Sequence, residues 1–322
     1  MNECTYYCFQ GAGLKIVAYL GLVEAWAKHF PSRYGVEWNE HVRTNVRGAC
    51  GASAGAGVAL AVCLNLPVGA MRRILEPVMS NAKVILPYMD IAELWQNYGF
   101  ERGGALRDMI HALLREGGLS PTIDFRSLHR LTAKEFACTG TNLSTQKSVV
   151  FSLQTTPDML VADALFISMC VPIMFAPVKY NGEYYVDGAL SCNTPSVFPI
   201  ECTLVCGVDG TRHVSITKWQ EFIGAILSIG LAAQEAHEAL LSKECKTYVC
   251  IFQTPVLTHL EPMDLNMDAS IKTQLFMCGY ATGTLVLYPF LRDGLRLLLA
   301  VVTRLRELVV AQDGGFEADP GR

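Results

Sequence analysis

Alternation of apolar and polar positions along the chain predicts a succession of strands and helices. It opens with "CTYYCF", a short run rich in β-formers, followed by the glycine loop "QGAG". In the next segment, "LKIVAYLGLVEAWAKHF", Leu14, Val17, Ala18, Leu22 and Trp26 recur at the helical period. The order strand, tight loop, helix then repeats as "VRGAC", "GASAG" and "AGVALAVCL". Two such units in succession predict a parallel sheet with helices on its faces, because parallel neighbours need a crossover connection.

The alternation continues downstream. "LRDMIHALLREGG" reads as a helix stopped by glycine, "KEFACTGTNL" and "SVVFSL" as strands, and "TPDMLVADALFISMC" as a helix. "VKYNGEYYVDGAL" reads as a hairpin turning at Asn181-Gly182, a dipeptide that tolerates the positive φ angles of tight turns. "TLVCGV" and "KTYVCIF" are further buried strands on either side of the helical "WQEFIGAILSIGLAAQEAHEALL". From residue 290, Leu291, Leu295, Leu298, Val302, Leu305 and Val309 form one stripe beside Arg292, Arg296, Arg304 and Arg306. Such a basic amphipathic helix either packs on the domain or lies in a membrane interface. One domain over residues 1–310 with a flexible tail at 311–322 is the simplest division.

Composition narrows the classes. The chain has 322 residues, is 51% hydrophobic and 17% charged, and carries a formal net charge of -4. This is a globular composition with no electrostatic invitation to nucleic acid. Twelve cysteines and seven histidines are scattered. The nearest approach to a metal spacing, Cys202 and Cys206, has no second pair at a ligand interval, so no metal is expected and the thiols read as reduced. The N-terminus lacks a basic region ahead of an apolar run, so no signal peptide is expected. Residues 48–71 carry no formal charge, yet four glycines in the first ten positions, with Asn65 and Pro67 behind them, argue against a membrane span. The expected location is intracellular, either cytoplasmic or peripheral to a membrane.

Two glycine loops carry the candidate chemistry. Residues 51–55, Gly-Ala-Ser-Ala-Gly, match G-x-S-x-G at a strand-to-helix turn. There small neighbours permit a strained backbone that lifts a serine hydroxyl clear and aims a helix N-terminus at it. "GAG", residues 11–13, lies at another helix start and could present N–H groups to a developing oxyanion. A dinucleotide loop is the weaker reading, because Ile16 falls where the third glycine of G-x-G-x-x-G belongs. No histidine stands out as a base: His111 and His237 fall in helical stretches, His129 in a basic loop, His213 and His259 in polar turns. Two aspartates end strands, Asp187 in "YYVDG" and Asp209 in "VCGVDG". Since Asp-Gly is also an ordinary turn signal, residue chemistry alone does not separate them. "DLNMDASIKTQL" begins like a calcium loop, but Ala269 and Leu275 replace its glycine and glutamate, so calcium is not expected.

Together these segments resemble the patatin-like phospholipase family. "FQGAGLKIVAYLG" is similar to that family's oxyanion loop with its following basic residue, "GASAG" to its nucleophile elbow and "VDGAL" to its Asp-Gly-Gly/Ala motif. "TGTNLSTQKSVVFS", "ADALFISMCVPIMFAPV", "SCNTP" and "MCGYATGTLVL" also match family blocks in order, so the likeness covers about residues 6–290. The chain departs from the pattern at Ala12, where the middle glycine is usual, and at Ile16, where a glycine commonly follows the basic residue.

The resemblance implies a three-layer α/β fold with a mostly parallel central sheet flanked by helices, and a phospholipase A-type acyl hydrolase needing no metal or other cofactor. It implies Ser53 as nucleophile and Asp187 as base. Gly11, Ala12, Gly13 and Ala54 would form the oxyanion hole, and Lys15, Gly51, Gly55 and Gly188 would support the motifs. The implied partner is a phospholipid or other acyl lipid, with peripheral membrane contact. The alternatives are an ordinary serine esterase, which would need a histidine, and a module of the same fold that binds lipid or protein without turnover.

Overall fold

The computed structural model describes residues 3–79, 84, 91–208, 225, 247–251 and 267–288. Outside them lie Asp209, His213, His237 and His259, nearly all of the helical stretch at 219–241, the start of the calcium-like loop, the amphipathic stripe from residue 290 and the tail. Within the described residues an eight-stranded sheet follows the hydrogen-bonded path β10-β9-β1-β2-β4-β8-β7, with β5 also paired to β4. The strands are β1 Tyr6–Phe9, β2 Gly48–Gly51, β4 Glu135–Asn142, β5 Lys147–Ser152, β7 Val178–Tyr180, β8 Glu183–Asp187, β9 Thr203–Val208 and β10 Thr247–Ile251. A separate two-stranded ladder joins β3 Gly99–Glu101 to β6 Ile173–Phe175 in parallel.

The sheet is mixed, and the expected parallel arrangement holds for part of it. β10, β9, β1, β2 and β4 run parallel, whereas β5, β8 and β7 join antiparallel. The reversal comes from local hairpins: Asn181 and Gly182 take φ of 48° and 86°, the geometry their dipeptide favours. Alternation places successive side chains on opposite faces of the sheet. Tyr7, Phe9, Ala49 and Leu204 enter the large core, while Cys8, Cys50, Ala137 and Val205 form a small second cluster beneath Val197, Phe198 and Ile200.

The helices are α1 Ile16–Tyr34, α2 Trp38–Thr44, α3 Ala54–Cys63, α4 Val68–Met79, α5 Ile91–Asn97, α6 Gly104–Glu116, α7 Phe125–Thr132, α8 Val161–Ser168 and α9 Ala269–Leu287. α8 covers only part of the stretch read as helical from residue 156. α3 is buried along its whole length, so its sequence shows no polar face. α1 ends at Gly35 in the left-handed conformation, φ 72°. α1 packs on α9 through glycines: a Cβ at Gly21 would strike the Phe276 carbonyl, and one at Gly279 the Ala18 carbonyl. Asp268, within the calcium-like stretch, caps α9 by accepting the Ile271 N–H at 2.8 Å.

The cysteines from Cys4 to Cys206, with Cys278, are free thiols, and burial pushes Cys63 and Cys170 up to about 12. Among the described residues no helix is long and apolar enough to cross a membrane.

Candidate active site

Two strand ends meet on one edge of β4. A strand has two edges, and β5 occupies one of them along Ala137–Asn142. β2 and β8 therefore share the other, β2 ending with Gly51 opposite Cys138 and β8 with Asp187 opposite Gly140. Only Thr139 separates those registers, so the residue leaving β2 arrives beside the residue ending β8. Ser53 Oγ donates a hydrogen bond to Asp187 Oδ2 at 2.6 Å.

The elbow at Ser53 is strained. Its φ of 50° and ψ of -132° lie where side chains other than hydrogen are disfavoured, at a cost of about 1–3 kcal/mol. Serine at a helix N-cap ordinarily folds its hydroxyl back onto the first turn. Here it makes no such bond, and the hydroxyl turns toward Asp187 instead. The flanking glycines are needed for closeness: a Cβ on Gly55 would meet the Phe9 and Gln10 carbonyls, and one on Gly51 would meet Phe9 and the start of α3. The Ser53 N–H donates to Ser168 Oγ at 3.1 Å, tying the elbow to the end of α8.

Asp187 is 3% exposed and Ser53 7%. Burial raises the Asp187 carboxyl from 3.8 to about 7, against the opposing pull of hydrogen bonds from Ser53 and from the Ala189 N–H. The latter reaches Oδ1 at 2.8 Å. The Asp187 backbone is fixed on both sides, its N–H donating to Cys170 O at 2.8 Å and its carbonyl accepting from Thr141 Oγ1 at 2.7 Å. Gly188 leaves no room for a Cβ beside the Thr139 carbonyl.

The first glycine loop lies against this pair. A Cβ at Gly11 would come within 3.3 Å of Ser53 Cβ and closer still to Asn193 and Ala189. The Gly11 N–H, expected among the oxyanion donors, is already given to Asn193 Oδ1 at 2.8 Å. Neighbouring Gln10 Nε2 donates to Thr194 Oγ1 at 2.6 Å, so two consecutive residues of the loop are pinned to the 193–194 turn. Ala12 has φ of -132°, which any residue can adopt, and begins a 3₁₀ turn over Gly13–Lys15 with no side-chain cap. Gly13 takes φ of 52°, a value that favours glycine. Lys15 is buried, and its N–H closes the turn on the Ala12 carbonyl at 3.0 Å. Ile16 is wholly buried at the start of α1.

Sequence reasoning missed Ser168, Asn193 and Thr141. "SCNTP" contains Asn193 beside an Asp-Gly turn, which was the available signal; Ser168 and Thr141 carry none, since their roles come from folding. No described histidine bonds to Ser53 or Asp187. His129 Nδ1 lies 3.2 Å from Lys134 O, and His41 sits among Phe30, Trp38 and Tyr7, where burial lowers it to about 4. No cluster of metal-ligating side chains occurs among the described residues.

A family model described as patatin-like phospholipase matches residues 7–197. The uncharacterized protein R571 of Acanthamoeba polyphaga mimivirus is 23% identical over 247 residues, 73% of this chain and 80% of that protein. A 77-residue stretch is 35% identical to the probable lipid hydrolase 463L of Invertebrate iridescent virus 6, covering 24% of this chain and 27% of that one. Among solved structures, VipD from Legionella pneumophila has a TM-score of 0.54 at 15% identity, over 88% of this chain and 67% of VipD. That last likeness is one of fold.

Proposed function

Because the chain belongs to the patatin-like phospholipase family, we propose that it hydrolyses carboxylic esters of phospholipids through a Ser53–Asp187 dyad and an acyl-enzyme. The observation that carries this reading is the buried 2.6 Å hydrogen bond between the two side chains at the mouth of α3. A carboxylate with an ordinary pKa is a poor base toward an alcohol. One raised to about 7 holds and releases a proton near neutral pH.

In the first half-reaction Asp187 Oδ2 takes the Ser53 proton as Oγ attacks the ester carbonyl. The tetrahedral oxyanion is met by the N–H groups of Ala12, Gly13 and Ala54. Gly11, whose own N–H is engaged, contributes the space a side chain would fill. Collapse of the intermediate expels the alcohol, the lysophospholipid, which leaves with the proton held by Asp187. In the second half, water gives its proton to Asp187 and attacks the acyl-enzyme, and the returning proton frees Ser53 with release of fatty acid. Lys15, Gly51, Gly55 and Gly188 act through backbone position. The name of the viral relative 463L agrees with a lipid substrate.

The test is fatty-acid release from phospholipid vesicles together with labelling by a fluorophosphonate. Wild type is expected to release fatty acid and to label at Ser53; Ser53→Ala does neither, and Asp187→Ala labels far more slowly. A folded wild-type protein that neither labels nor hydrolyses would support the binding module. Activity lost on replacing a histidine would support the ordinary esterase.

A further inference from the structure

α5 is inside out. In a surface helix of a water-soluble fold the polar side chains face solvent and the apolar ones face the core. Here Glu93 and Asn97 are half-buried and bonded to each other at 2.6 Å, with the exposed Arg102 reaching Glu93 at 3.4 Å. Ile91, Trp95 and Tyr98 point outward at 66%, 80% and 68% exposure. Tyr98 is held there with φ of 64°, an outlier for a bulky residue.

We infer that the outward face of α5 is a docking surface for a phospholipid bilayer. Three features favour a bilayer over a protein. Tryptophan and tyrosine are the side chains that settle at the lipid–water boundary. The helix's carboxylate, Glu93, is 38% exposed but paired with Arg102, and Ile91, Ala92, Trp95, Gln96 and Tyr98 carry no negative charge toward lipid phosphates. The face is also small: three such side chains offer about 400 Å², about half of what one partner contributes to a stable protein interface.

The position suits delivery of lipid. Immediately after Tyr98 the chain enters β3, whose Gly99 pairs with Ile173 of β6, itself at φ of 72°. Gly99 approaches the Phe175 and Ala176 backbone too closely for a Cβ. Just upstream of β6, Cys170 O accepts the Asp187 N–H. The ladder thus ties the outward aromatic face to the segment that holds the candidate base, whose buried dyad, in the proposed function, acts on lipid esters.

The choice of surface rests on the proposed lipid hydrolysis; the docking itself does not require turnover. Full-length Ser53→Ala protein is mixed with phosphatidylcholine vesicles, with and without phosphatidylserine, and the bound fraction measured by flotation. Binding to both compositions is expected, and Ile91→Ser combined with Trp95→Ser should weaken it by at least about tenfold. Melting temperature and hydrolysis of a soluble monomeric ester by the corresponding Ser53-containing variant should stay unchanged. Equal binding by the double variant, or no binding by the parent, would overturn the inference, as would a dimer that the double variant loses. If wild type hydrolyses no ester yet the vesicle result holds, the catalytic reading fails and the docking stands.

Discussion

Asp187 ties turnover and stability to the same proton. Its carboxyl is lifted from 3.8 to about 7, chiefly by burial; at about 1.4 kcal/mol per pKa unit this is about 4 kcal/mol. The base must be ionised to accept the Ser53 proton. About one tenth is ionised at pH 6 and about nine tenths at pH 8, so kcat/KM on a soluble ester should climb about tenfold between them. Stability runs the other way. Between about pH 4 and pH 7 the folded chain keeps a proton that the unfolded chain has released, so this group's contribution falls as pH rises. Asp187→Asn removes the titration while its Oδ1 can still accept the Ala189 N–H. The variant's advantage over wild type should grow from near zero below pH 4, through about 2 kcal/mol at pH 5, to about 4 kcal/mol at pH 8. Urea unfolding at each pH measures it. A stability difference that stays flat across this range, or an activity profile level from pH 5.5 to 8, would refute the assignment of a buried, proton-accepting Asp187.

Three further substitutions, at two positions, probe the hydrogen bonds that hold the loops. Asn193→Ala strands the Gly11 N–H and should cost about 1–3 kcal/mol in urea unfolding. Asn193→Asp keeps the acceptor and much of that stability, but sets a negative charge beside the developing oxyanion, so kcat should fall by at least about tenfold with folding intact. Lys134 donates its ammonium protons to the carbonyls of Val42, Arg43 and Val46 at the end of α2, ahead of β2. Lys134→Met leaves those carbonyls without these bonds and should cost about 3 kcal/mol, read from the urea midpoint.

What the sequence showed follows from what is local. The two strand–loop–helix units, the Asn181-Gly182 hairpin and the G-x-S-x-G elbow depend on residues near one another in the chain, and the structure contains each. The pairing of Ser53 with Asp187 rather than Asp209 is not local: it depends on β2 and β8 sharing one edge of β4, 134 residues apart. The resemblance, not the residue chemistry, singled out Asp187, and Asp209 lies outside the described residues. α5 escaped notice because it spans only Ile91–Asn97, too short for a helical period to stand out. α9 escaped because it meets α1 through Gly279 and Gly283 and buries few large side chains, giving little amphipathic contrast. Antiparallel β5, β7 and β8 diluted the parallel sheet because short hairpins extend β4 more directly than another crossover.

The glycine seam between α1 and α9 has a practical consequence for trimming the protein. The stretch recognised by the family model stops at residue 197, some seventy positions before α9 begins. An excised fragment ending there would retain Ser53, Asp187 and Asn193 yet uncover the flank of α1 at Ala18, Gly21 and Leu22. Gly21 has no side chain to fill the gap and β9 is lost from the edge of β1, so the fragment would be sticky even though the elbow and its aspartate survived the cut.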